Sequence, residues 1–149
     1  MRLRYVPQKE NEVRILLLPF CLSGGEMEGI NVLAEQHGFD LVVARSTTFA
    51  LSQVRDATRR RRDNPVRIVG VVCDGRAKKV ALGLFLLKSR QTLKRILGFP
   101  TRRIILARVG IKGGTRSFFG RRQCNAGNNS VNRGDLLEAL KGGKVFFLL

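Results

Sequence analysis

Residues 13 to 26 read V-R-I-L-L-L-P-F-C-L-S-G-G-E. Ile15 to Leu18 is an unbroken apolar run, short enough for a strand buried on both faces. Pro19 has no N–H for a sheet ladder, so the strand ends there or just after it. Ser23, followed three residues later by Glu26, is a capping-box pattern that opens a helix, with Gly24 and Gly25 in its first turn. Strand, cysteine, glycine-containing turn and helix make the first half of a βαβ unit. In folds built from such units, ligands collect beyond the carboxyl ends of the strands, and Cys21 falls there.

Outward from this stretch the pattern repeats. Met1 to Asn11 is polar, carries Pro7 and reads as a lead-in. Met27, Ile30 and Leu33 or Ala34 recur at helical spacing until His37-Gly38 supplies a helix end. Asp40 to Ala44 is a second strand. Ser46, Thr47 and Thr48 offer caps to a helix carrying Phe49, Leu51, Val54 and Ala57. It ends in the basic run Arg59, Arg60, Arg61 and Arg62, and Asp63-Asn64-Pro65 is a turn signal. Arg67 to Val72 is a third strand, and Cys73 follows it as Cys21 follows the first. Ala77 to Leu97 reads as one long helix or two in succession, stopped by Gly98.

Arg103 to Val109 is a fourth strand. Residues 110–130, rich in Gly, Asn and Arg, are expected to be irregular. Leu136 to Leu140 suggests a last short helix, and Val145 to Leu149 a fifth strand or an apolar tail. Strands alternating with helices imply a single Rossmann-like three-layer α/β domain with a mainly parallel four- or five-stranded sheet. The natural order is 2-1-3-4, which makes the strands before Cys21 and Cys73 neighbours. Cys124, in the irregular segment, belongs to a loop of the same edge.

The chain has 149 residues, 44% of them hydrophobic, and a formal charge of +17. That suits one domain with a proper core. The charge is uneven, for residues 75–134 hold fifteen Lys or Arg and no Asp or Glu. Such an excess favours an anionic partner, above all nucleic acid or an anionic membrane surface, although it also serves solubility. Three widely spaced cysteines without a convincing secretion signal point to a reducing, cytoplasmic-type compartment. The longest apolar run, Val80 to Leu87, has eight residues, far short of the ~18 of a membrane span.

Three segments together resemble a known family. They are L-L-P-F-C-L at Leu17 to Leu22, V-G-V-V-C at Val69 to Cys73, and C-N-A-G-N-N-S-V-N at Cys124 to Asn132. The chain is similar in these to the uncharacterised prokaryotic family called domain of unknown function 116. Its members share a Leu-Pro-x-Cys-Leu start, a later Gly-Val-x-Cys and a Cys-x-Asn-Thr-like segment before a final helix. The family tends to carry further cysteines between the first strand and first helix, which implies a metal or iron–sulfur site. Here that insert is reduced to Ser23-Gly24-Gly25, and Ala126-Gly127-Asn128 interrupts the third motif.

The candidate metal ligands are therefore Cys21, Cys73 and Cys124. Three thiolates could hold an iron–sulfur cluster with one iron open, or supply three ligands to zinc. None has C-x-x-C spacing, and Cys21 and Cys73 also read as small buried hydrophobes ending core strands. Ser23, Gly24, Gly25, Asp74 and Gly75 are the candidate walls of a ligand crevice between the first and third strands. Phosphate-loop motifs fail: Gly70 to Gly75 has the outer spacing, but Arg76-Ala77 stands where Lys and Ser or Thr are needed. Hydrolytic catalysis has little to draw on, because His37 is the sole histidine and reads as a helix cap, while Asp74 reads as an N-cap. A second class of function is nucleic-acid binding through Arg59, Arg60, Arg61 and Arg62 together with Arg116, Phe118, Phe119, Arg121 and Arg122. There arginines would neutralise phosphate and the rings would stack on bases, unless they anchor the loop to the core.

Overall fold

The computed structural model describes residues 3–19, 22, 24–44, 46–60, 64–72, 85–86, 88–112 and 130–148. Six strands run β1 (Val13–Pro19), β2 (Asp40–Ala44), β3 (Val66–Val72), β4 (Ile104–Lys112), β5 (Ser130–Val131) and β6 (Val145–Leu148). The helices are α1 (Gly24–Gln36), α2 (Thr47–Arg59), α3 (88–96) and α4 (Arg133–Lys141). The sheet order β2-β1-β3-β4 is parallel throughout, as the alternation of apolar runs and helices requires. β6 joins the free edge of this set by pairing antiparallel with β4, which settles the C-terminal apolar stretch as a strand.

The strands at the centre are apolar on both sides because both sides are covered. One core holds Leu16, Leu18, Val69, Val71, Ile105, Ala107 and Val109 against Ile30 and Ala34 of α1 and Leu136, Ala139 and Leu140 of α4. The opposite face packs Val13, Ile15 and Val66 with Leu17, Val42, Ile68 and Val54 of α2. The result is a three-layer α/β sandwich. Each fully buried Leu or Ile in it contributes about 1.5–3 kcal/mol relative to exposure.

Helix ends follow local chemistry. Ser46 Oγ accepts the Phe49 N–H at 3.1 Å and caps α2. Asn132 Oδ1 accepts from the N–H groups of Gly134 and Asp135 at 2.9 and 3.3 Å and caps α4. Gly38 and Gly98, at φ +72° and +78°, close α1 and α3 in left-handed turns that few side chains tolerate.

Two expectations change. The segment 110–130 is not irregular at its ends: β4 runs on to Lys112, and Ser130–Val131 pairs back on Ile111 and Lys112. The lead-in is built into the fold. Arg4 forms a bridge with Val145, Val6 is buried and its N–H donates to the Gly142 carbonyl, and Gln8 Nε2 donates to the Leu140 carbonyl. Its polar sequence hid this because most of the anchoring groups are main-chain, with Val6 and Gln8 each adding one side chain. Under it lies Arg67, 0% exposed, whose guanidinium meets the Glu12 carboxylate and the carbonyls of Val6 and Pro7.

Candidate functional site

The carboxyl edge of the parallel sheet is where this fold exposes its turns. β1 and β3 are hydrogen-bonded neighbours there, with Leu17 opposite Gly70. The same offset sets Pro19, the last residue of β1, level with Val72, the last of β3. These are the strands that lead into Cys21 and Cys73. β4 reaches the same edge at Lys112, and β5, which returns the chain to α4, pairs with its last two residues. The described residues that flank 113–129, the segment containing Cys124, are Lys112 and Ser130, and they pair at that edge. The described residues that precede the three cysteines, Pro19, Val72 and Lys112, all stand at the carboxyl ends of parallel strands.

Two helices begin on this side. Gly24 and Gly25 open α1, both exposed, and a Cβ at either would meet nothing within 4 Å. The space around them is open, as a crevice wall requires. Glu26 in the same turn pairs with Arg133, the first residue of α4, at 3.7 Å. A carboxylate and a guanidinium thus bridge the two helix starts, and the negative charge at the α1 N-terminus is met from within the protein. That counts against a dedicated anion site on this turn.

Of the other candidate residues, Arg59 and Arg60 are exposed where α2 ends, on the edge where β3 begins. The strands separate them from the edge that serves 113–129, so the two halves of the expected basic surface do not start from one place. Cys21, Cys73, Cys124, Ser23, Asp74, Gly75, Arg61, Arg62, Arg116, Phe118, Phe119, Arg121 and Arg122 lie outside the described residues. Among the described residues, no group of three His, Cys, Asp or Glu could hold a metal. His37 serves its own helix end: its Nδ1–H donates to the Leu33 carbonyl at 2.9 Å, while its own carbonyl accepts from Arg14.

A shallow groove of about 470 Å³ is lined by Phe85, Lys88, Ser89, Thr92, Leu93 and Ile96, all from one helical stretch. It encloses nothing and converges no set of polar groups, so it is no small-molecule site. Among the described residues, no helix is long and apolar enough to cross a membrane. No family model, curated protein or solved structure matches the chain.

Proposed function

We propose that this protein is a cysteine-thiolate domain, in which Cys21, Cys73 and Cys124 hold an iron–sulfur cluster or zinc at the carboxyl edge of the sheet. On this reading it is a divergent member of the family that its three motifs resemble. What supports it is the common edge: β1 and β3 end level with one another, and β4 and β5 bring the third cysteine-bearing segment to the same side. Thiolates are soft ligands suited to both metals, and the surrounding Lys and Arg excess favours the ionised form. Gly24 and Gly25 leave open space beside the edge.

Anaerobic purification with iron, sulfide and zinc analysis tests the proposal. Metal in a fixed ratio to protein is expected, falling sharply in each of Cys21→Ser, Cys73→Ser and Cys124→Ser. A metal-free chain that also takes up neither iron with sulfide nor zinc on reconstitution rejects it.

A second reading is favoured by the charge. Among the described residues, Glu12 pairs with Arg67 and Arg14, Glu26 with Arg133, and Asp135 and Glu138 with Lys144. The 28 Lys and Arg outnumber the 11 Asp and Glu, an excess that suits a non-enzymatic module that binds nucleic acid. Binding to a random oligonucleotide should then weaken linearly in log salt, and Arg59→Gln with Arg60→Gln should flatten the slope. A slope near zero excludes it.

A further inference from the structure

The helical stretch around α3 is turned the wrong way for a globular core. At 100° per residue, Phe85, Ile96, Leu93, Leu86 and Leu97 fall within one arc of roughly 120°. In a packed domain that arc faces inward, yet here Ile96 is 76% and Phe85 65% exposed, and the other three are exposed as well. Gln91 lies at the centre of the opposite side. It is the one residue of 88–96 that is not exposed, and its Oε1 is buried. The helix shows solvent its apolar side.

The borders of the arc are basic. Arg90 and Lys94 flank one side and Lys88 and Arg95 the other, all exposed and, among the described residues, none paired with a carboxylate. The hydroxyls within the arc, Ser89, and just outside its edge, Thr92, are already satisfied. Ser89 Oγ donates to the Phe85 carbonyl at 3.0 Å and Thr92 Oγ1 to the Lys88 carbonyl at 2.9 Å. The face can therefore enter an apolar medium without leaving an O–H unbonded.

We propose that the face formed by Phe85, Leu86, Leu93, Ile96 and Leu97 docks this protein on an anionic lipid surface. The occupant must present apolar material bordered by negative charge, and the lipid interface does so: acyl chains receive the side chains while anionic headgroups meet the flanking Lys and Arg. A second copy of the chain would bring the same four cations against these four. Nucleic acid supplies the charge, but its flat bases give Leu and Ile no aliphatic layer to enter. The inference does not depend on the cysteines or on oligonucleotide binding.

The chain contains no Trp, so Ile96→Trp in the full chain is a single reporter on this face. Its emission should shift to shorter wavelength with vesicles of phosphatidylcholine containing phosphatidylserine and stay put with phosphatidylcholine alone. Val32→Trp, on an exposed position of α1, should not respond to either. Affinity of the unlabelled chain for the anionic vesicles should fall about tenfold or more in Leu93→Ser/Ile96→Ser, with far-UV circular dichroism unchanged. A similar loss is expected in Lys88→Gln/Lys94→Gln/Arg95→Gln. Vesicle binding that survives Leu93→Ser/Ile96→Ser overturns the proposal, as does the absence of a shift. An equal shift with oligonucleotide or polyglutamate also overturns it. So does a lipid-free dimer that the same double substitution dissolves, since that would assign the face to a second copy.

Discussion

Arg67 and Glu12, 55 residues apart, meet side chain to side chain inside the protein: Nε donates to one carboxylate oxygen at 2.9 Å and Nη2 to the other at 3.1 Å. Both side chains are almost wholly withdrawn from water. The pair joins the residue before β1 to the second residue of β3, and Nη2 also holds the Val6 and Pro7 carbonyls.

Removing one partner leaves a buried charge uncompensated. Glu12→Gln should cost about 3 kcal/mol in urea unfolding, near the lower end of the range for breaking a buried ion pair. Glu12→Leu with Arg67→Met should cost much less than either charge-stranding substitution alone, because burial of two apolar chains carries no such penalty. Equal losses in the single and double variants would show that the pair's electrostatics matter little.

Gly142 closes α4 at φ +119°, and a Cβ there would lie 2.5 Å from the Val6 carbonyl oxygen. Both the backbone and the space exclude a side chain. Gly142→Ala should destabilise by more than about 1 kcal/mol. It should also speed hydrogen exchange at the Val6 amide, which donates to Gly142.

Asn132→Ala removes the oxygen that caps α4 and should cost about 1 kcal/mol, whereas Asn132→Asp or Asn132→Ser should retain most of the stability. Thermal or urea unfolding distinguishes them. Equal loss in all three would mean that the asparagine acts through its amide nitrogen instead.

Lys144 holds its proton beyond the usual lysine value of 10.5, first through its hydrogen bond to Asp135, then through the charges of Asp135 and Glu138. A raised pKa in the folded state means the contribution is complete below the ordinary value. It is lost as pH climbs through the raised one. Stability should therefore fall on the alkaline side above about pH 10, and Lys144→Met should flatten that part of the curve. Lys144 also sits at φ 58°, so Lys144→Asn, which tolerates that backbone, separates the charge effect from strain.

The parallel set was legible because strands covered on both faces appear as continuous apolar runs, as Ile15 to Leu18 and Ile68 to Val71 do. The edge strand Asp40 to Ala44 shows itself by its own short run, Leu41 to Ala44. Arg67 was not legible as an interior residue. An arginine opening a strand normally belongs to the surface, and its partner is named only by the fold. The lead-in escaped for the related reason that most of its contacts are main-chain, and single side chains such as Val6 and Gln8 leave no periodic pattern. Helical periodicity in 85–97 is plain in the sequence, but periodicity gives the arc and not the direction it faces. Of the candidate site, the neighbouring of β1 and β3 followed from topology, and Gly24 and Gly25 stand where the capping pattern put them.

The lead-in strap bears on how the chain assembles. Residues 4–12 are synthesised before the groups that receive them, Leu140, Gly142 and Val145. Until then Val6 lacks its N–H bond to Gly142, and Glu12 meets Arg67 without the carbonyls of a docked strap. Closure of the strap therefore waits for α4 and β6, and a nascent protein stalled before α4 would keep an open seam beneath its sheet.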